Sequence, residues 1–261
     1  MISDEEVTAR FRNALASEGE YGGFGSLQIY HGNSDSLWKD AHPGGCARHM
    51  TVFKQYRAIP QYCFDCYKVF VEPRSVLELF KLLMVFEEIA LPGNNTRKCM
   101  AEGRDDCSGT YKGYVYCRGL EEGREVRKIV RKAVTEAISP GVGVTLKRGC
   151  SEYAQAYPAY GRVKLGVAAM PYRMEWRAFE EQVDRDYPNV PGQEVLRSLP
   201  RGESGKISYT PAEIFAMNYW LSYAATIGDH SCLRLAGRTL AKLSNVKRPP
   251  FRSTAPYVKS R

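Results

Sequence analysis

The sequence predicts an α+β protein organised around a split β-α-β, ferredoxin-like sheet over residues 62–150. Three observations predict it. Several short stretches rich in β-branched and aromatic residues read as strands, two longer stretches carry apolar residues at helical spacing, and turn residues divide them in the order β-α-β-β-α-β.

Within this core, Tyr67 to Val71 reads as the first strand. Ser75-Val76-Leu77-Glu78 has the form of a capping box, with Ser75 as N-cap and Glu78 reaching back to it. The helix it opens is apolar on most sides and stops before Pro92-Gly93. Thr96 to Glu102 and Thr110 to Arg118 read as two strands joined through Asp105-Asp106-Cys107-Ser108-Gly109. Val126, Ile129, Val130, Ala133, Val134 and Ala137 mark the second helix, whose other face carries Arg124, Arg127, Lys128, Arg131 and Lys132. After Ser139-Pro140-Gly141, Val142 to Lys147 alternates as the last strand.

Residues 1–61 precede this core as an N-terminal segment. A short helix is expected over 1–20, a strand from Leu27 to Tyr30, and a weakly periodic, Cys/His-rich loop over 31–61 holding His31, His42, His49 and Cys46. Residues 151–244 are expected to pack on the core as a strand (Arg162 to Ala168) and helices. One helix runs from about Arg173 to Arg185, one opens at Thr210-Pro211-Ala212-Glu213, and one runs from about Asp229 to Leu243. Prolines 188, 191 and 200 mark the natural subdomain boundary, and residues 245–261 form a basic tail without an acid.

Composition narrows the chemistry. No run approaches the ~18 unbroken apolar residues of a membrane span, and no apolar leader opens the chain, so a cytoplasmic protein without a membrane partner is expected. In that reducing setting eight cysteines point to metal or thiol chemistry rather than disulfides. The net charge of +8 favours an anionic partner, either nucleic acid or a phosphorylated small molecule. There is no P-loop, dinucleotide fingerprint, nucleophile elbow or zinc-protease helix, and no histidine begins the His-x-Glu of zinc deaminases.

The cysteines supply the candidate site. Cys46-Ala47-Arg48-His49 and Cys63-Phe64-Asp65-Cys66 combine as C-x2-H-x13-C-x2-C. Two short chelating pairs joined by a loop are how tetrahedral zinc sites are assembled, so Zn²⁺ on Cys46, His49, Cys63 and Cys66 is the leading expectation. A competing set takes Cys63 and Cys66 with Cys99 and Cys117, and four thiolates would also suit an iron–sulfur cluster. The third option for Cys117 is a small hydrophobe facing the helices. Cys150, after Lys147-Arg148-Gly149, stands apart as a candidate reactive thiol, with His31, His42 or His230 as possible bases.

Lys112-Gly113-Tyr114-Val115-Tyr116-Cys117-Arg118 resembles part of the first signature of RNA-recognition motifs, and Val69-Phe70-Val71 resembles the second. Val115 and Gly119 depart from that pattern. The resemblance implies that Phe70, Tyr114 and Tyr116, edged by Lys68, Lys112 and Arg118, would stack single-stranded bases. Burial of the same rings under the C-terminal half is the competing expectation. Arg127, Arg131 and Arg148 complete the candidate anion-binding set. Two function classes follow: a metal-bearing module that binds nucleic acid, and an enzyme that uses the metal or Cys150 on an anionic small molecule.

Overall fold

The computed structural model describes residues 28–31, 45–103, 109–163, 170–186 and 211–235. The class is α+β. Five strands, β1 (Gln28–His31), β2 (Cys66–Glu72), β3 (Arg97–Ala101), β4 (Tyr111–Arg118) and β5 (Gly143–Arg148), form one sheet in the order β1-β3-β4-β2-β5. Every neighbouring pair is antiparallel. Helix α2 (Val76–Glu88) connects β2 to β3, and α3 (Gly119–Ala137) connects β4 to β5.

Strand alternation decides what each face of the sheet meets. Val69 and Val71 of β2, Val115 and Cys117 of β4 and Val144 of β5 turn toward the helices and form the main core. They pack with Leu79, Leu82, Leu83 and Phe86 of α2 and Val126, Val130 and Val134 of α3. Helix α6 (Pro211–Thr226) adds Ala216, Trp220 and Ala224 to the same core. Gly113 lets α2 approach β4 closely: a Cβ there would lie 2.4 Å from Leu82 Cδ2.

At the N-terminus of α2 the N–H groups of Val76, Leu77 and Glu78 all find acceptors, which offsets most of the cost of its orphan donors. Ser75 Oγ accepts from Glu78 N, as the capping box predicts. The Glu78 carboxylate takes the backbone N–H of Arg74 rather than that of Ser75. Asp229 accepts from Val76 N at 2.6 Å and Ser231 Oγ accepts from Leu77 N. Asp229 is therefore a capping group for α2, and the short helix α7 (Cys232–Leu235) begins after it.

A second, smaller core lies at one end of the sheet. Helix α1 (Gly45–Tyr56), a 3-10 turn (Gln61–Asp65), α4 (Ser151–Ala156), a 3-10 turn (Met174–Trp176) and α5 (Arg177–Asp186) meet there. Val52, Phe53, Phe64, Tyr153, Tyr160, Trp176 and Val183 fill it. Where the weak periodicity of 31–61 predicts a loop, the structure has α1. Its buried positions, Gly45, Arg48, His49, Val52 and Phe53, do follow helical spacing. Arg48 and His49 occupy slots where a hydrophobe would have announced the helix, and so the period was hidden. The expected helix over 1–20, the turn with Cys107, most of the strand at 162–168, the proline-rich stretch and the basic tail lie outside the described residues.

Candidate functional site

Cys46, His49, Cys63, Cys66 and Cys150 line one pocket beside the second core, on the sheet face turned away from the main core, together with Lys68, Tyr116 and Tyr153. Its volume is about 50 Å³. Since one water needs ~10–15 Å³, the pocket takes a metal ion or a few small atoms, not a nucleotide.

Each wall comes from a different element. Cys46 and His49 sit one turn apart on α1, three residues being the spacing that puts side chains on one helical face. Cys63 lies in the 3-10 turn and Cys66 opens β2, with Cys66 N donating to Cys63 O. Lys68 follows two residues later on the same sheet face, opposite Tyr116 of β4. Cys150 is the N-cap of α4. Gly149 turns the chain into the pocket with φ +57, and a Cβ there would fall 1.9 Å from Tyr160 Oη, so only glycine fits.

The polar contacts inside the pocket are specific. Lys68 Nζ lies 3.5 Å from Cys150 Sγ. Cys63 Sγ lies 3.7 Å from Tyr153 Oη, within sulfur hydrogen-bond range. Burial, together with Cys150, Cys66 and Cys46, pushes the Cys63 thiol well up, so that without a metal it stays protonated at neutral pH. Burial pulls the Lys68 ammonium down, but Cys150, Tyr116, Cys66 and Cys46 outweigh it and hold Lys68 well above the usual lysine range. Lys68 is the pocket's fixed positive charge. Among the described residues, no three His, Cys, Asp or Glu side chains are arranged to hold a metal ion as they stand.

The other candidates fall elsewhere. Cys99 and Cys117 are fully buried in the main core, on the sheet face opposite Lys68, where they act as small hydrophobes. Burial raises both thiols, Cys117 to about 12. Lys112 is buried in an ion pair with Glu102 at 3.0 Å. Arg148 is buried too, donating to Phe64 O and Met170 O at 3.0 Å each. These two cations are engaged in the interior, which their charge in the sequence did not disclose. Arg118 is exposed at the end of β4, and Arg127 and Arg131 lie on α3 across the sheet from the pocket. Phe70 and Tyr116 are buried, 3% and 9% exposed, and Tyr114 is half-buried. Lys147 stands 3.8 Å from the centre of the Phe70 ring, and Lys68 and Lys98 stand over Tyr114 and Tyr116.

Sequence spacing could not have joined Cys150 to the first four donors, because only the pairing of β2 with β5 brings it there. Nor could it have found the imidazole that lines the same pocket as Cys150. That group is His49, whereas the His31 side chain and His42 are outside the described residues and His230 is exposed near α7.

In the metal-free chain, brief alkylation near neutral pH should label Cys46 and Cys150, which are partly exposed. Cys63, Cys99 and Cys117 should be spared, since each is buried and its thiol raised. Peptide mass mapping checks this, and early labelling of Cys63 would contradict the geometry.

No protein-family model matches the chain, and no curated protein or solved structure is significantly similar to it.

Proposed function

We propose that the chain is a zinc-binding protein in which Cys46, Cys63 and Cys66 are ligands beside one further pocket donor. Its scaffold reads as a ferredoxin-like unit: β2-α2-β3-β4-α3-β5 with the spatial order β3-β4-β2-β5 has the split β-α-β arrangement. The observation that carries the metal reading is convergence. The donors that sequence spacing groups into two chelating pairs meet in one small pocket. Each cysteine can swing its sulfur about a single torsion, χ1, to draw the set toward an ion. The energy for closure comes from the metal.

The partner in this reading is anionic and held by charge. Buried Phe70 and Tyr116 do not favour base stacking on their face, whereas the cationic face of α3, with Arg127 and Arg131, suits a phosphate backbone. A second reading, a thiol enzyme acting on a small anion, rests on Lys68 standing 3.5 Å from Cys150 Sγ.

Elemental analysis of chain purified without chelator should find one zinc per molecule. Changing Cys63 and Cys66 to serine together should release it and lower the melting temperature, because the binding energy is folding energy. Absence of metal in the parent chain, with melting unchanged in the double variant, would overturn the proposal.

A further inference from the structure

We infer that Cys150 is the fourth metal ligand, which makes the centre a four-thiolate site with Lys68 beside it to offset the charge. This inference rests on the zinc reading and sharpens it, because C-x2-H-x13-C-x2-C nominates His49 instead.

The structure fastens Cys150 to the Cys63–Cys66 knuckle. Gly149 N donates to Cys66 O at 2.7 Å, which extends the β2–β5 ladder one step beyond the Tyr67–Arg148 pair and sets Cys150 next to β2. Arg148 Nε donates to Phe64 O at 3.0 Å, and Tyr160 Oη donates to Cys63 O at 2.6 Å. Three of the four knuckle carbonyls are thus held by the segment that carries Cys150. Hydrogen bonds of this kind, one layer out from the ligands, orient a metal site before the ion arrives.

His49 is held differently. It shares α1 with Cys46, but its imidazole stacks on Tyr62 with ring centroids 5.9 Å apart and planes 18° from parallel. Charge points the same way. Four thiolates on Zn²⁺ leave a net charge of two minus, and a buried excess of that size needs a cation nearby. Lys68 supplies one, within hydrogen-bonding reach of the Cys150 sulfur itself. The Nζ–Sγ contact marks Cys150 as the position where negative charge is expected.

X-ray absorption at the zinc edge of the intact, zinc-loaded chain reads the ligands directly and does not depend on any variant folding. Four sulfurs are expected. In the cobalt-substituted protein, Cys150→Ser should remove about a quarter of the sulfur-to-metal charge-transfer intensity, while His49→Gln should leave the band unchanged. Lys68→Met should keep the four-sulfur count and weaken zinc binding about 10–100-fold; unchanged affinity would overturn the role given to Lys68. Three sulfurs and one nitrogen, with His49→Gln as the variant that alters the spectrum, would overturn the inference and leave the zinc reading standing. A chain that takes up neither zinc nor cobalt would overturn both.

Discussion

Replacing Arg48 with methionine should lower the stability of the fold by about 3–5 kcal/mol, the cost of leaving one member of a buried ion pair without its partner. Arg48 is 3% exposed and joins α1 to α5. Nη1 reaches Glu180 Oε2 at 2.5 Å, and Nε and Nη2 reach the two Asp184 oxygens at 2.8 Å each. Burial lowers the Arg48 pKa, but the hydrogen bonds to Asp184 and Glu180 more than compensate, so the group is a cation in the folded state. The two acids are unequal. Asp184 is partly exposed and can rehydrate, whereas Glu180 is buried. Without Arg48, Glu180 would retain, among the described residues, the Gln61 N–H and the Tyr172 hydroxyl, each at 2.9 Å, to support its charge. Most of the loss therefore lies with Glu180, and adding Glu180→Gln to Arg48→Met should recover much of it. Denaturant unfolding of the two singles and the double measures the coupling. A loss below about 1 kcal/mol in the single variant would show that the pair does not anchor α1. Because α1 carries Cys46 and His49, zinc affinity should fall with stability in Arg48→Met and return in the double variant.

The same residue explains what the sequence could and could not disclose. Strands β2 to β5 were legible because side chains of alternating character follow the pleat, and α2 and α3 because their apolar residues recur at helical spacing. Helix α1 was not, since an arginine and a histidine fill two of its inward positions; the arginine is suited there by acids more than a hundred residues away, and the histidine by the ring of Tyr62 beyond the end of the helix. The site divides in the same way. Spacing within one segment exposed Cys46, His49, Cys63 and Cys66 as a group. Cys150, and with it the Lys68–Cys150 contact, enters through the pairing of β2 with β5, and pairing is a long-range property that no local pattern states. Charge misled at Lys112 and Arg148 for a related reason: a sequence shows that a side chain is cationic but not that Glu102, or a pair of backbone carbonyls, already holds it.

Phe70→Ala should cost about 3–5 kcal/mol of stability, the usual loss for a buried phenylalanine truncated to alanine. The ring is 3% exposed, stacks on Tyr114 with centroids 5.1 Å apart and planes 21° from parallel, and lies under the Lys147 ammonium. Truncation empties the middle of this cation–aromatic layer, so Tyr114 and Lys147 lose their contact surface at once. The result bears on function as well as folding. If single-stranded oligonucleotides bind by charge, their affinity should drop steeply as salt rises. Loss of Arg127 and Arg131 from α3 should then weaken binding evenly across sequences. Under conditions where Phe70→Ala is still folded, that affinity should match the parent chain. Should Phe70→Ala instead lose oligonucleotide binding with its melting temperature unchanged, the ring would be reading bases rather than filling the interior, and the partner's grip would move from α3 to this face of the sheet.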